Sequence, residues 1–459
     1  MSKRIIHIGL LLGVLLFTGC KKFLDIVPST QNVNPITVND FQEMLNSDSL
    51  SIGNNFLPDL MSDDGYMSTT MLGTADNYYL RTYLWKPVIW NLSDVDYMYN
   101  SAYTRILQMN IILSRIDAAP ADSINTIQNR SNVISQSLIN RSWFYLQLAN
   151  IYGPGYNEAT AATDLAVPLV LVPDATAQPA RASVKQVYAQ VAGDLRKAVA
   201  NPYLPAKGVD IIHPGKAAGY ALLARTYLYM AKYDSALVYA DSSLALASTL
   251  KSYLSGYTIP TQLLDLATNP EILMGRVTYE TGFYKATGFT MMGSTNLFSY
   301  LGYYDYRYTY RFSGYYLRTT IYSGATAMFI DNSVAVPEVM LTKAECLARK
   351  GDSTGAITLI NTLSSYRMRF NSPVTSYTAA NTLNYVLAER RRELAIHGGL
   401  RLFDQKRLNL QAAYATDLVR KRDDSTVVAS LPALSSRYVM PFTQTVLGNN
   451  PNMVQNVRN

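Results

Sequence analysis

"GKAAGYALLARTYLYMAKYDSALVYADSSLALA", Gly215 to Ala247, reads as two short helices, Lys216 to Met230 and Tyr233 to Leu246, joined by a tight turn. Small residues recur where the two would touch: Ala217, Ala218, Gly219, Ala221 and Ala224, then Ala236 and Ala240. Side chains this short let an antiparallel helix pair approach closely. "PEVMLTKAECLARKGDSTGAITLINTL", Pro337 to Leu363, repeats the plan, with Ala344 and Ala348 in the first helix, Gly351-Asp352 at the turn and Ala356 in the second.

Two such units resemble tetratricopeptide repeats, in which each helix pair buries its apolar face only by stacking on the next. Upstream, "DVDYMYNSAYTRILQMNIILSRI" sets Tyr99, Tyr103, Ile106, Asn110 and Leu113 on one side at helical spacing and ends at Ala119-Pro120. "IQNRSNVISQSLINRSWFYLQLANIYG" stops at Gly153-Pro154, and "SVKQVYAQVAGDLRKAVANP" starts on Ser183 as N-cap and stops at Pro202. The fold class expected is therefore mainly α: a tetratricopeptide-repeat-type helical scaffold over about 94–250 and 336–407, inside a single domain, 20–459. Two insertions, about 45–92 and 255–335, break the pattern with turns, short strands and aromatics, and form the expected ligand-binding face. In "YYDYRYTYRF", Tyr304, Tyr306, Tyr308 and Tyr310 alternate with Asp305, Arg307 and Thr309, which predicts a strand.

At the N-terminus, Lys3 and Arg4 precede an apolar run from Ile5 to Phe17, too short for a membrane span and right for a secretory signal. Thr18-Gly19-Cys20 behind it resembles a lipobox, so residues 1–19 read as a lipoprotein signal peptide and Cys20 as the lipidated residue. Cys346 is then without a partner, and no disulfide framework supports the chain. A length of 459 residues with 48% hydrophobic content is ample for a core. Removing Lys3 and Arg4 takes the formal charge from +7 to +5, a weak bias, and no basic block suggests nucleic acid. Thirty-five tyrosines are the compositional oddity: each offers an apolar ring and a polar tip, suited to a core or to a sugar- or peptide-binding surface.

Several chemistries are excluded by spacing. His213 and His397 have no Cys, His or carboxylate neighbours at metal-ligand spacing, so no metal is expected. "GVDIIHPGKA" has six residues between Gly208 and Gly215 where a phosphate loop needs four, and Gly153 and Gly155 follow a helix rather than a strand, so neither a nucleotide nor another cofactor is indicated. Asp63, Asp64, Asp76 and Asp96 are the candidates for a glycosidase pair, but no spacing pairs them across a bond.

"AERRRELAIHGGLRLFDQKRL", Ala388 to Leu408, is the densest charge pattern. On a helix Glu389 and Glu393 lie a turn apart with Arg390 in reach of the second, Arg401 and Asp404 repeat the arrangement, and Gly398-Gly399 ends the helix. An ion-pair network stapling the last helix to the scaffold is the expected role.

At this motif the chain resembles the SusD/RagB family of nutrient-binding lipoproteins, whose pattern E-R-x-x-E-L-x-x-E-G-x-R-x-x-D-x-x-R is filled by Glu389, Arg390, Glu393, Leu394, Gly398, Arg401, Asp404 and Arg407, with His397 in place of the usual Glu. "CKKFLDIVP", "NRSWFYLQLANIYG", "PEVMLTKAECLARKGD", Pro441 and "NNPNMVQN" agree in order with other family landmarks, and Tyr99 stands where a Trp often opens the first long helix. The resemblance implies a non-enzymatic protein, lipid-anchored on the outer membrane and facing the exterior. Its partner would be a SusC-like TonB-dependent transporter, to which it delivers a captured oligosaccharide or, in some branches, a peptide. Lys21-Lys22 departs from the acidic residues that tend to follow the cysteine in surface-exported proteins of this kind. The competing readings are a repeat scaffold lipoprotein that binds a partner protein, and a lipid-anchored hydrolase using Asp63 or Asp76.

Pyranose rings stack on flat aromatics through their C–H faces while their hydroxyls need fixed polar partners. "YYLRTYLWKPVIWN" offers both: Trp85 and Trp90 with Tyr78, Tyr79 and Tyr83, and Asp76, Arg81 and Asn91 as hydrogen-bonding groups. Trp85, or failing that Trp90, is the expected stacking platform, with Tyr303 and Tyr304 contributing from the second insertion; Trp143 belongs to the scaffold.

Overall fold

A computed structural model describes residues 34–120, 124–174, 176–254 and 258–459. The signal segment, Cys20 and Lys21-Lys22 lie outside the described residues. Thr37–Asn459 forms one compact unit.

Among the described residues nine helices carry the scaffold: α1 (Tyr97–Arg115), α2 (Ile127–Tyr152), α3 (Val184–Val199), α4 (Lys216–Tyr229), α5 (Tyr233–Leu246), α6 (Val336–Arg349), α7 (Ser353–Ser365), α8 (Ala379–Leu394) and α9 (Leu400–Leu408). Each of α1 to α7 packs on the next, with α5 on α6 across the second insertion and α8 on α6, as stacked helix pairs do. The starts obey the expected chemistry. Ser183 accepts the Gln186 N–H and Gln186 returns to the Ser183 backbone, and Asp96 and Asp352 cap α1 and α7. Close approach explains the small residues: a Cβ on Gly219 would lie 2.5 Å from Val199 Cγ1, so any larger residue there would push α4 off α3. Many tyrosines are core residues with satisfied hydroxyls. Tyr103 donates to Pro168 O (2.7 Å), Tyr145 to Val170 O (2.6 Å) and Tyr152 to Asp96 Oδ2 (2.5 Å). Cys346, on α6, is a free thiol packed against Leu228 and Ala236, and burial pushes it up to about 12.

The two insertions are woven together. Ile52–Gly53 pairs in parallel with Val277–Glu280, which pairs with Ala325–Asp331 and that with Thr319–Tyr322. In a second sheet, Gly65–Tyr66 pairs with Met292–Gly293, which leads on to Tyr316–Leu317 and Phe312–Ser313. Segments more than 200 residues apart thus build one face.

The strand expected across 304–310 is instead a helix, Tyr306–Arg311. Asp305 starts it by accepting the Arg307 N–H (2.9 Å), and the Arg307 side chain has to turn inward. Fully buried, Arg307 meets Asp305 (2.7 Å), Glu389 (2.6 Å) and Glu393 (2.9 Å). Arg367, also fully buried, joins Glu393 (3.0 Å) to Glu271 (2.7 Å). The charge motif is therefore a buried network, with its partners rearranged: Arg390 reaches Asp404 (2.8 Å) and not Glu393, and Arg407 bridges Asp404 (2.8 Å) and Glu345 (2.6 Å). Gly398 and Gly399, at φ +65° and +90°, end the turn after α8 and present both N–H groups to Asp59 (3.0 and 2.8 Å).

These carboxylates set the acid limit of the fold. Burial alone would raise Glu393 and Asp404, but Arg367 and Arg307 hold the first, and Arg390 and Arg407 the second, at about 2. Their stabilisation is complete above the unfolded values near 4 and is lost as pH falls from there to about 2. Asp59 and Asp96 act the other way: burial raises them to about 7 and about 6, a penalty relieved as pH falls from 7 towards 4. Scanning calorimetry between pH 2 and 8 should find the highest Tm near pH 5, by these shifts, and a steep fall below pH 4.

Candidate functional site

A groove of about 320 Å³ opens between the first insertion, the start of α1 and the end of the Val277–Glu280 strand. Its floor is aromatic and continuous. Tyr78 packs on Trp90 with ring centroids 5.2 Å apart and on Tyr79 at 4.2 Å. Trp90 is fixed from behind by donating its indole N–H to Pro441 O (2.7 Å). Across the groove stand Tyr97, 62% exposed, and Tyr279, whose ring stacks on Tyr322 at 4.1 Å.

A polar chain crosses that floor: Tyr78 donates to Tyr79 Oη (2.8 Å), which donates to Glu280 Oε1 (2.8 Å). Glu280 also accepts the Phe283 N–H (2.9 Å), and burial raises its carboxyl above the ordinary range. Burial likewise pushes Tyr78 up to about 12, so both tyrosines stay protonated donors. Apolar rings beside fixed hydrogen-bonding groups suit a ligand with both kinds of surface, such as a sugar or a short peptide.

The structure brings together only part of the expected set. Tyr78, Tyr79 and Trp90 line the groove. Arg81 pairs with Asp76 (2.9 Å), Asn91 (2.8 Å) and Asp94 (3.0 Å), a bracket that holds the two ends of the loop bearing Trp90. Trp85 is fully buried: its indole donates to Met61 O (2.8 Å) and the Arg420 guanidinium lies over its ring at 4.3 Å. It has no face to offer a ligand, and neither does Tyr83, 1% exposed under the same guanidinium. Arg420 itself donates to the carbonyls of Leu60, Ser62, Gly65 and Tyr83, so this corner is a carbonyl-capped core and not a platform. Tyr303 and Tyr304 do not line the groove; exposed, they pack on each other, and Tyr304 also packs on Phe370. Trp143, as expected, is scaffold. Tyr97, Tyr279 and Glu280 were not among the expected residues, because strand pairing between distant segments is what delivers two of them.

The carboxylates weighed for hydrolysis have structural partners. Asp63 meets Arg401 (2.7 Å) and Arg391 (3.1 Å), Asp64 meets Arg391 (2.9 Å), and Asp96 caps α1. Among the described residues no group of three or more His, Cys, Asp or Glu could hold a metal, and no helix is long and apolar enough to cross a membrane.

A repeat-helix scaffold carrying a woven face with an aromatic groove defines a class of binding protein, and comparison narrows it. Residues 22–228 match the SusD-like family model described as starch-binding and associating with the outer membrane, and residues 273–458 match the SusD family model. A SusD superfamily protein from Bacteroides thetaiotaomicron superposes with a TM-score of 0.73 at 20% identity, over 92% of this chain and all of that one. A SusD-like carbohydrate binding protein from Bacteroides vulgatus gives 0.66 at 20% identity, over 91% and 97%. No curated protein matches the chain significantly. The chain belongs to the SusD/RagB family.

Proposed function

We propose that this protein binds oligosaccharide in the groove and passes it, without chemistry, to a SusC-like TonB-dependent transporter in the outer membrane, to which Cys20 tethers it on the exterior side. The observation that carries the reading is the Tyr78–Trp90 floor crossed by the Tyr79–Glu280 hydrogen-bond chain, which pairs stacking surface with fixed polar groups in one groove. Its family membership supports it, as does the carbohydrate-binding description of the Bacteroides vulgatus relative. The ion-paired state of Asp63 and Asp64 is in keeping with a role without catalysis.

The test is calorimetry on protein carrying Cys20→Ser, which stays unlipidated, against separate panels of glycans and peptides. Tyr97→Ala removes an exposed ring from the groove wall without opening the core. It should weaken glycan binding about tenfold, by analogy with nucleic-acid bases, whose stacking on an aromatic is worth roughly 1–3 kcal/mol. Binding of peptides alone would replace the ligand class. Unchanged glycan affinity in Tyr97→Ala would move the site out of the groove.

A further inference from the structure

A second and larger pocket, about 490 Å³, lies between the second insertion and the ends of α6 and α8, and shares no lining residue with the groove. Its size falls within the range of roughly 300–1,000 Å³ typical of small-molecule sites. Most of the charge around it is already spent. Glu271 and Glu393 hold Arg367, Glu338 holds Arg225 (2.6 Å), and Arg311 donates to the carbonyls of Arg392 and Glu393.

Two lining residues differ. Arg318 uses only its Nε, on Thr309 O (2.8 Å), and its two terminal nitrogens have no partner among the described residues. Asp331 uses Oδ1 to accept the Ser333 N–H (2.9 Å), which leaves Oδ2 without one. Thr319, the last residue of its strand to pair, stands opposite Met328, so Arg318 and Asp331 both lie beyond the paired end of the hairpin, and both line the pocket. Opposite charges therefore line one pocket, and they form no ion pair with each other.

We propose that this pocket is a second binding site, taking a pyranose unit of a neutral saccharide between Arg318 and Asp331. Each sugar hydroxyl is both donor and acceptor, so adjacent hydroxyls can accept from the guanidinium and donate to the carboxylate. Phe329 and Tyr316, which also line the pocket, give the ring its apolar surface. A neutral ligand fits because the two free groups cancel: an anion would meet Asp331 and a cation Arg318.

The experiment is saturation-transfer NMR and calorimetry with glucose, galactose, mannose, xylose, maltose and cellobiose as probes, on the Cys20→Ser protein and on Asp331→Asn, Arg318→Gln and Tyr97→Ala made in it. Both pocket residues are only half-buried, and thermal unfolding checks that each variant is folded. At least one probe should bind. Its affinity should fall about tenfold or more in both Asp331→Asn and Arg318→Gln, as expected for losing hydrogen bonds to charged groups, and should persist in Tyr97→Ala. Failure of every probe to bind, or affinity that follows Tyr97 and ignores Asp331 and Arg318, overturns the second site. Loss of the groove reading alone leaves the Asp331 and Arg318 effects in place.

Discussion

Arg307→Met should cost about 3–5 kcal/mol, the price of leaving buried carboxylates without their cation. Asp305, Glu389 and Glu393 all converge on this side chain, and each is nearly or fully buried. Against a total stability of roughly 5–15 kcal/mol, the loss brings the protein close to unfolding at 37 °C. Urea denaturation reads it as a lower midpoint at unchanged slope. Lysine cannot substitute, because one ammonium cannot reach three carboxylates that a guanidinium meets along separate edges. Adding Asp305→Asn to Arg307→Met should recover part of the loss, since Arg307 is the only cation Asp305 meets among the described residues, whereas Glu393 keeps Arg367; strict additivity of the two would contradict a shared network.

Trp85→Ala should destabilise by a similar amount, about 3–5 kcal/mol, and leave the ligand affinity of the folded protein as it was. Its ring fills the space under Arg420, and deletion would leave a cavity beneath a guanidinium whose hydrogen bonds all go to backbone carbonyls. Trp85 also holds a positive φ of 50°, which a bulky residue adopts only when its surroundings fix it. Equilibrium unfolding and glycan calorimetry on the same preparation separate the two effects. A fall in affinity without a fall in stability would return Trp85 to the binding surface.

That contrast marks what could be read from the residues alone. The repeat helices were legible because their signals are local: alanines at contact spacing from Ala217 to Ala240, Ser183 as a cap, and Gly351-Asp352 at a turn. Partner choice was not. Glu389 and Glu393 show as a charged helix face, but Arg307 and Arg367 arrive from other segments, and the pull of three carboxylates on Arg307 is what makes a helix of a stretch whose tyrosines alternate like a strand. Within "YYLRTYLWKPVIWN", composition identified an aromatic cluster but not which rings face out. Burial of Trp85 depends on Arg420, more than 300 residues away. The groove's far wall is equally non-local, since Glu280 and Tyr279 reach it through the pairing of Val277 with Ile52.

Cys346 gives the fold a built-in clock. Its thiol sits where α6 meets α4 and α5, fully buried and held protonated by its surroundings. Only an exposed thiolate can attack a disulfide reagent, forming the mixed disulfide and releasing the reagent's other half as a thiolate, so in a protein that lacks Cys20 each labelling event records one parting of that helix junction. Timing the reaction under native conditions, with and without saccharide, reads how often the scaffold breathes and whether occupancy of the woven face is felt across it.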